Sequence, residues 1–203
     1  MALDPPHSAP RRLVRPLAAA REPGQDARFR SLILPHLDAA YSLARYLLRD
    51  ATAAEDVVQE AFLRAFRTFD GYRGGDAKAW LLTIVRHGVY DHARAERGRT
   101  AVVVDSARFG DDSAGLEDIY DADDETPEQA LVRRHEIQAV RSAIADLPEP
   151  FRETLVLREL EELSYREIAA LTSAPIGTVM SRLARARALL AEALRLDGAG
   201  GPA

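Results

Sequence analysis

The 203-residue chain carries 27 Lys and Arg against 32 Asp and Glu, a net charge of −5, and 47% of its residues are apolar with no cysteine among them. That length suits one or two globular domains. The lack of cysteine excludes a disulfide framework, a thiolate metal site and a thiol switch, and no uncharged apolar run approaches the ~18 residues of a membrane span.

Residues 1–25 mix Pro, Arg and Ala without the apolar centre and cleavage site of a signal peptide, so they read as a disordered extension of a cytoplasmic protein. Ile33, Leu37, Ala40, Ala44 and Leu47 then recur at helical spacing and predict a first amphipathic helix with Pro35 in its first turn. The capping box Thr52-Ala-Ala-Glu55 predicts the start of a second helix, which runs through Val57, Val58, Ala61, Phe62, Ala65 and Phe69 and stops at Asp70-Gly71. A glycine-rich turn, Tyr72 to Asp76, leads into a third helix bearing Trp80, Leu81, Ile84, Val85 and Val89 and ending near Gly98. Trp80 opens that apolar stripe, which favours a core role over a stacking platform.

From Gly98 to Pro127 nine acidic residues face only Arg99 and Arg108, a local charge of −7 that leaves the rest of the chain at +2. Such a stretch, with few large apolar residues and no sustained period, Val102 to Val104 being the exception, reads as a self-repelling flexible linker. Helix resumes at Thr126-Pro-Glu-Gln129, where a cap, an N1 proline and a capping-box glutamine coincide, with Leu131, Ile137, Val140 and Ile144 as its expected buried stripe. Leu147-Pro-Glu-Pro150 breaks it, and a helix from about Phe151 to Leu160 follows. Ser164-Tyr-Arg-Glu167 caps a short helix to Leu171, and Thr172 to Pro175 turns the chain into a long last helix. The fold class is therefore all-α: two small domains, residues 26–97 and 127–196, joined by a flexible acidic linker over 98–126, with a tail from 197 to 203.

A short helix, a tight turn and a longer helix are the parts of a helix-turn-helix, whose second helix enters the DNA major groove. In the last helix Val179, Leu183, Ala186, Leu190 and Leu194 form the packing face, and Thr178, Ser181, Arg182 and Arg185 project from another side near its start. Arginine pairs bidentately with guanine, and hydroxyls reach bases or phosphates. By periodicity alone a solvated Arg face on an ordinary bundle helix explains the pattern equally well.

The run Leu163 to Leu171 followed by Pro175-Ile-Gly-Thr-Val-Met-Ser-Arg-Leu-Ala-Arg-Ala-Arg187 resembles the fourth conserved region of extracytoplasmic-function (ECF) sigma factors of the sigma-70 family. Ala54-Glu-Asp-Val-Val-Gln-Glu-Ala-Phe-Leu-Arg-Ala-Phe66 with Ala79 to His87 resembles the second region, in the correct order, so the likeness spans roughly Arg28 to Arg195. It implies a specificity subunit that binds core RNA polymerase, at the β′ clamp helices and the β flap, and promoter DNA. Glu55, Asp56, Val58, Gln59 and Glu60 would dock on the clamp helices; the helix dipole by itself accounts for part of Glu55 and Asp56 but not for Gln59 and Glu60.

Tyr72, Arg73, Lys78, Arg86, His87, Asp91, Arg94 and Arg97 would face the minus-10 element, where a base leaves the stack. His87 stands where the family commonly has Asn, and Gly88 beside it weakens the helix. Thr178, Met180, Ser181, Arg182 and Arg185 would read the minus-35 element, with Arg187 on phosphate; Met180 stands where many relatives place Lys or Arg. The linker's charge fits nucleic-acid mimicry in the polymerase channels and a plain tether equally. The resemblance also implies an anti-sigma factor as partner.

No catalytic, cofactor or metal site is expected: His7, His36, His87, His92 and His135 are scattered, and Gly74 to Lys78 lacks the spacing of a phosphate loop. A stand-alone helix-turn-helix regulator is the alternative reading, and a polymerase-binding decoy a further one. The first has no use for the docking helix, the second none for the Arg-bearing last helix.

Overall fold

The computed structural model describes residues 23–99 and 126–198, all of their regular structure helical. The predicted N-terminal extension, nearly all of the acidic linker with Val102 to Val104, and most of the tail lie outside these residues.

The N-terminal half begins with α1 (Pro23–Ile33), an element for which the sequence supplied no pattern, and Pro35 lies not in a first helical turn but in a tight 3₁₀ turn, Leu34–His36, ahead of α2 (Leu37–Leu48). Arg49 ends α2 in the left-handed conformation, φ 62°, with its N–H donated to the Arg45 carbonyl. The start of α3 (Ala51–Thr68) corrects the expected capping box: the cap is Asp50, whose carboxylate accepts the Ala53 N–H at 2.8 Å, and Thr52 sits inside the first turn. An aspartate in extended conformation just before the helix outcompetes the later Thr.

A 3₁₀ turn, Phe69–Gly71, and the turn at Gly74 and Gly75, both near φ +98°, then lead into α4 (Ala77–Arg99). Gly88 has a packing reason that the sequence hid. A Cβ there would lie 3.1 Å from Val57 Cγ1, so the missing side chain lets α4 approach α3.

In the C-terminal half, α5 (Pro127–Asp146) carries both bonds of the Thr126–Gln129 capping box. Its stripe is corrected: Ile144 is buried, but Leu131 and Val140 are exposed at 54% and 38%, and the buried residues gather at Ala143, Ala145 and the C-cap Leu147, with α8, α6 and α2 packed against α5. The break at Leu147 and Pro148 is short, because Pro150 fits the first turn of α6 (Glu149–Leu155), which widens into a π turn over Val156–Leu160. Buried Arg152 donates through Nη1 to the carbonyls of Ala145 and Leu147 at 2.7 and 2.8 Å and so closes the C-terminus of α5. Ser164 and Glu167 form the second capping box, at the start of α7 (Tyr165–Thr172), and Ser173, φ 54°, turns the chain into α8 (Ile176–Gly198).

Each half has its own buried centre: Ile33, Leu43, Phe69, Leu81 and Leu82 in the first, Val156, Leu157, Ile168, Val179 and Leu183 in the second. The halves also meet, α2 against α6 and α4 against α7, so that their apolar interiors form one continuous cluster.

Candidate nucleic-acid interface

On α3 the apolar residues Ala54, Val57, Val58, Ala61 and Ala65 turn inward, which leaves Glu55, Asp56, Gln59 and Glu60 exposed on the other side. Glu60 also pairs loosely with Arg67 at 3.5 Å across the surface. Val58, expected on the docking face, is only 5% exposed and forms the floor of an open groove of about 700 Å³ between α1, α2 and α3. Glu55 and Gln59 stand on its rim with Asp38, and exposed Leu34, Leu37, Leu63 and Phe66 supply its apolar walls. Sequence reasoning missed those four. Leu63 and Phe66 fall off the buried stripe of α3, a signal available from helical spacing, whereas the position of Leu34 and Leu37 depended on the turn at Pro35.

The eight residues expected at the minus-10 element separate into distinct environments. Tyr72 is not on the surface: it is 7% exposed, stacked at 5.6 Å on Phe69 and tilted against Trp80 at 5.1 Å, and its hydroxyl donates to the Gly75 carbonyl at 2.7 Å. It shapes the turn rather than offering a face, and Trp80 packs with it against the core. Arg73 is exposed on that turn.

On α4, residues four apart share a face, and Lys78, Leu82, Arg86 and Tyr90 form one row against the C-terminal half. Lys78 Nζ is 2.9 Å from both Glu161 Oε2 and the Glu161 carbonyl; Arg86 Nε is 2.7 Å from Glu153 Oε1, which also accepts the Tyr90 hydroxyl at 3.3 Å. Burial works against the Arg86 charge, but the Glu153 hydrogen bond and charge outweigh it and hold the guanidinium more firmly protonated. Burial, then the charge of Glu153, pushes the Tyr90 phenol far above its usual range. His87, Asp91, Arg94 and Arg97 lie exposed on a separate side, where Asp91 and Arg94 pair at 3.6 Å and Arg97 Nε donates to the Ala93 carbonyl.

The last two helices have helix-turn-helix form, with three residues between α7 and α8. Val179, Leu183 and Ala186 are buried at 1%, 1% and 0%, which anchors α8 and turns Met180, Ser181 and Arg185 outward, with Thr178 and Arg182 half-buried at the margin. Arg185 makes no ion pair with the described residues. Arg187, by contrast, donates through Nε and Nη2 to Glu159 Oε1 at 3.0 and 2.6 Å, a hydrogen bond and charge that raise its pKa. No metal-ligating cluster and no helix long and apolar enough to cross a membrane occurs among the described residues.

An acid-rimmed apolar groove in one half and a helix-turn-helix with an outward arginine in the other mark a two-domain helical protein. Residues 32–99 match Sigma-70 region 2 and residues 137–190 match Sigma-70, region 4. The chain is 37% identical over 177 residues to the RNA polymerase sigma-H factor of Pseudomonas aeruginosa, covering 85% of this chain and 89% of that protein. It is 34% identical over 152 residues to the ECF RNA polymerase sigma-E factor of Haemophilus influenzae, with 73% and 77% covered. Among solved structures it is similar to the sigma factor RpoE of Bartonella quintana in complex with the anti-sigma factor NepR, TM-score 0.64 at 30% identity, covering 84% of this chain and 98% of that one. CnrH in complex with the cytosolic domain of CnrY follows at TM-score 0.59 and 25% identity, with 85% and 90% covered. The chain belongs to the ECF RNA polymerase sigma factors of the sigma-70 family.

Proposed function

We propose that this chain binds core RNA polymerase through the α3 groove and directs it to promoters, α4 and its preceding turn meeting the minus-10 element and α8 the minus-35 element. The observation that carries the reading is the pairing, in one chain, of an exposed apolar groove rimmed by Glu55 and Gln59 with a helix-turn-helix that presents Arg185. A stand-alone regulator needs only the second. In this role the protein selects promoters in the bacterial cytoplasm and leaves catalysis to the polymerase.

Groove and helix divide the work by chemistry. Apolar walls with a polar rim suit an amphipathic helical partner such as the β′ clamp. Arg185, Ser181 and Met180 on a protruding helix start suit base edges, with Met180 limited to apolar contact such as a thymine methyl. Arg187, still 54% exposed although two of its donors are engaged by Glu159, is assigned to backbone phosphate through its remaining N–H groups or by exchange of that pair. On the α4 side, Arg73, His87, Arg94 and Arg97 are the accessible residues, and Tyr72 shapes the turn that bears Arg73. An anti-sigma factor is the further partner proposed, since the similar RpoE structure contains one.

Run-off transcription with purified core polymerase tests the proposal. The chain and core together are expected to initiate at a discrete start site on its own promoter DNA, and neither does so alone. Sequence-specific duplex binding by the free chain, with no stimulation of core polymerase, would establish the stand-alone regulator instead.

A further inference from the structure

We infer that α8 reads the promoter on two flanks of one face. Arg185 takes guanine on one flank, and exposed Ile176 and Met180 take thymine methyl groups on the other, so the minus-35 element carries a T·A pair about two base pairs from that guanine. The inference rests on the DNA-reading role proposed for α8 and names the base pairs that this role selects.

Two observations carry it. The first is an apolar row on the outward side of a helix whose other side already packs. Ile176 and Met180 are 43% and 52% exposed, and exposed Ala184 continues them at the same four-residue spacing. Val179, Leu183 and Ala186 anchor α8 from the opposite side, so its packing does not call for a second apolar row. The row is also separate from the groove of the N-terminal half.

The second observation is a ridge of small residues beside that row. Gly177, Ser181 and Ala184 occupy the middle of the outward face, and all three are exposed. Gly177 is not demanded by the fold, since a Cβ there would meet no described atom within 4 Å. Glycine is a poor helix former, so its place here is accounted for by the close approach of something outside the chain. A low ridge lets the helix sit deep in a slot about 12 Å wide, the width of the major groove, and depth brings both flanks to base edges.

Chemistry then distinguishes the flanks. Successive residues turn by about 100°, which sets Met180 and Arg185 about 140° apart around the axis. Five residues of rise separate them by about 7.5 Å along it, close to two duplex steps of ~3.4 Å. In the major groove the thymine methyl is the one apolar substituent, and the other edge groups are donors and acceptors that an apolar side chain leaves unpaired. Ile176 and Met180 therefore favour T·A over G·C, and a cation in the place of Met180 would do the reverse. Arg185, with no ion pair to the described residues, keeps its donors for guanine.

The test uses holoenzyme assembled from the full chain and purified core polymerase. It first selects sites from duplexes built on its own promoter and randomised over the minus-35 segment. The selected sites are expected to hold a thymine about two base pairs from a guanine. Each thymine is then replaced singly by uracil, which removes the C5 methyl and nothing else. At one or two positions uracil is expected to weaken binding about fourfold, the effect of one buried methyl group. Where cytosine replaces that thymine, 5-methylcytosine is expected to recover the same factor.

Met180→Ala and Ile176→Ala are each expected to keep the helical circular dichroism and the affinity for core polymerase while abolishing the uracil effect at one position. Met180→Lys is expected to change the selected base there from thymine to guanine. Arg185→Ala, on the other flank, is expected to leave the uracil effect in place. Uracil tolerated at every position, or a uracil effect that survives in both alanine variants of the row, would overturn the inference. So would weakened assembly of those variants with core polymerase, which assigns the row to a protein partner. Failure of the holoenzyme to select any minus-35 sequence would instead overturn the DNA-reading role of α8.

Discussion

At the scale of single residues, the arginines of this chain differ by what their neighbours already hold. Arg185 projects from α8 with no ion pair to the described residues, so Arg185→Ala is expected to cost about 1–3 kcal/mol at one base pair and little at the others. Arg187 is held by Glu159, and Arg187→Ala is expected to weaken all promoter sequences by one common factor. Promoter mutagenesis, base pair by base pair, separates the two patterns; equal losses everywhere for both variants would show that the reading face lies elsewhere. Gly88 makes a packing prediction. A side chain there meets Val57, so Gly88→Leu should destabilise the N-terminal half by about 1–3 kcal/mol in thermal denaturation, although leucine is the better helix former.

At the scale of elements, caps and exposed walls decide. Arg152 satisfies two carbonyls at the end of α5, and Arg152→Met leaves both without their donor at an expected cost of about 1–3 kcal/mol, measurable as a lowered denaturation midpoint. On α3, docking should depend on the apolar wall as well as the rim. Leu63→Glu is expected to reduce pull-down of core polymerase at least as much as Gln59→Ala combined with Glu60→Ala, with helical content retained in each, since all three side chains are exposed. Wild-type pull-down by both variants would remove the groove as the docking face. The residues proposed for docking were legible in the sequence as a polar face on a helix, except Val58, which is buried. The wall at Leu34 and Leu37 was not, because Pro35 breaks the helical register that periodicity assumes and turns Leu37, read as core, to 48% exposure.

For the whole molecule, charge distribution and domain count matter together. The net charge of −5 gives the free chain little long-range attraction to DNA, and the basic row of α4 is already occupied by Glu153 and Glu161. In a gel shift at physiological salt the free chain is therefore expected to show no sequence preference, and promoter-specific complexes should form only with core polymerase, which adds the contacts that one small domain lacks. A tight specific complex of the free chain would contradict this.

Helical periods, capping boxes and family wording are local properties, read within a few residues, and they determined on their own the all-helical class, the helix-turn-helix and the outward placement of Arg185. The Thr126 and Ser164 caps form as read because their partners lie three residues away. The cap of α3 moved to Asp50 because the choice between two nearby caps depends on the backbone entering the helix. Tertiary structure alone decided that Tyr72 belongs to the core, that Gly88 is a contact point and that α4 has two faces of different fate. Lys78 and Arg86 look no different in sequence from Arg94; they are covered because Glu153 and Glu161, far along the chain, need counter-charges once buried, and burial is a property of the packed halves rather than of any local pattern.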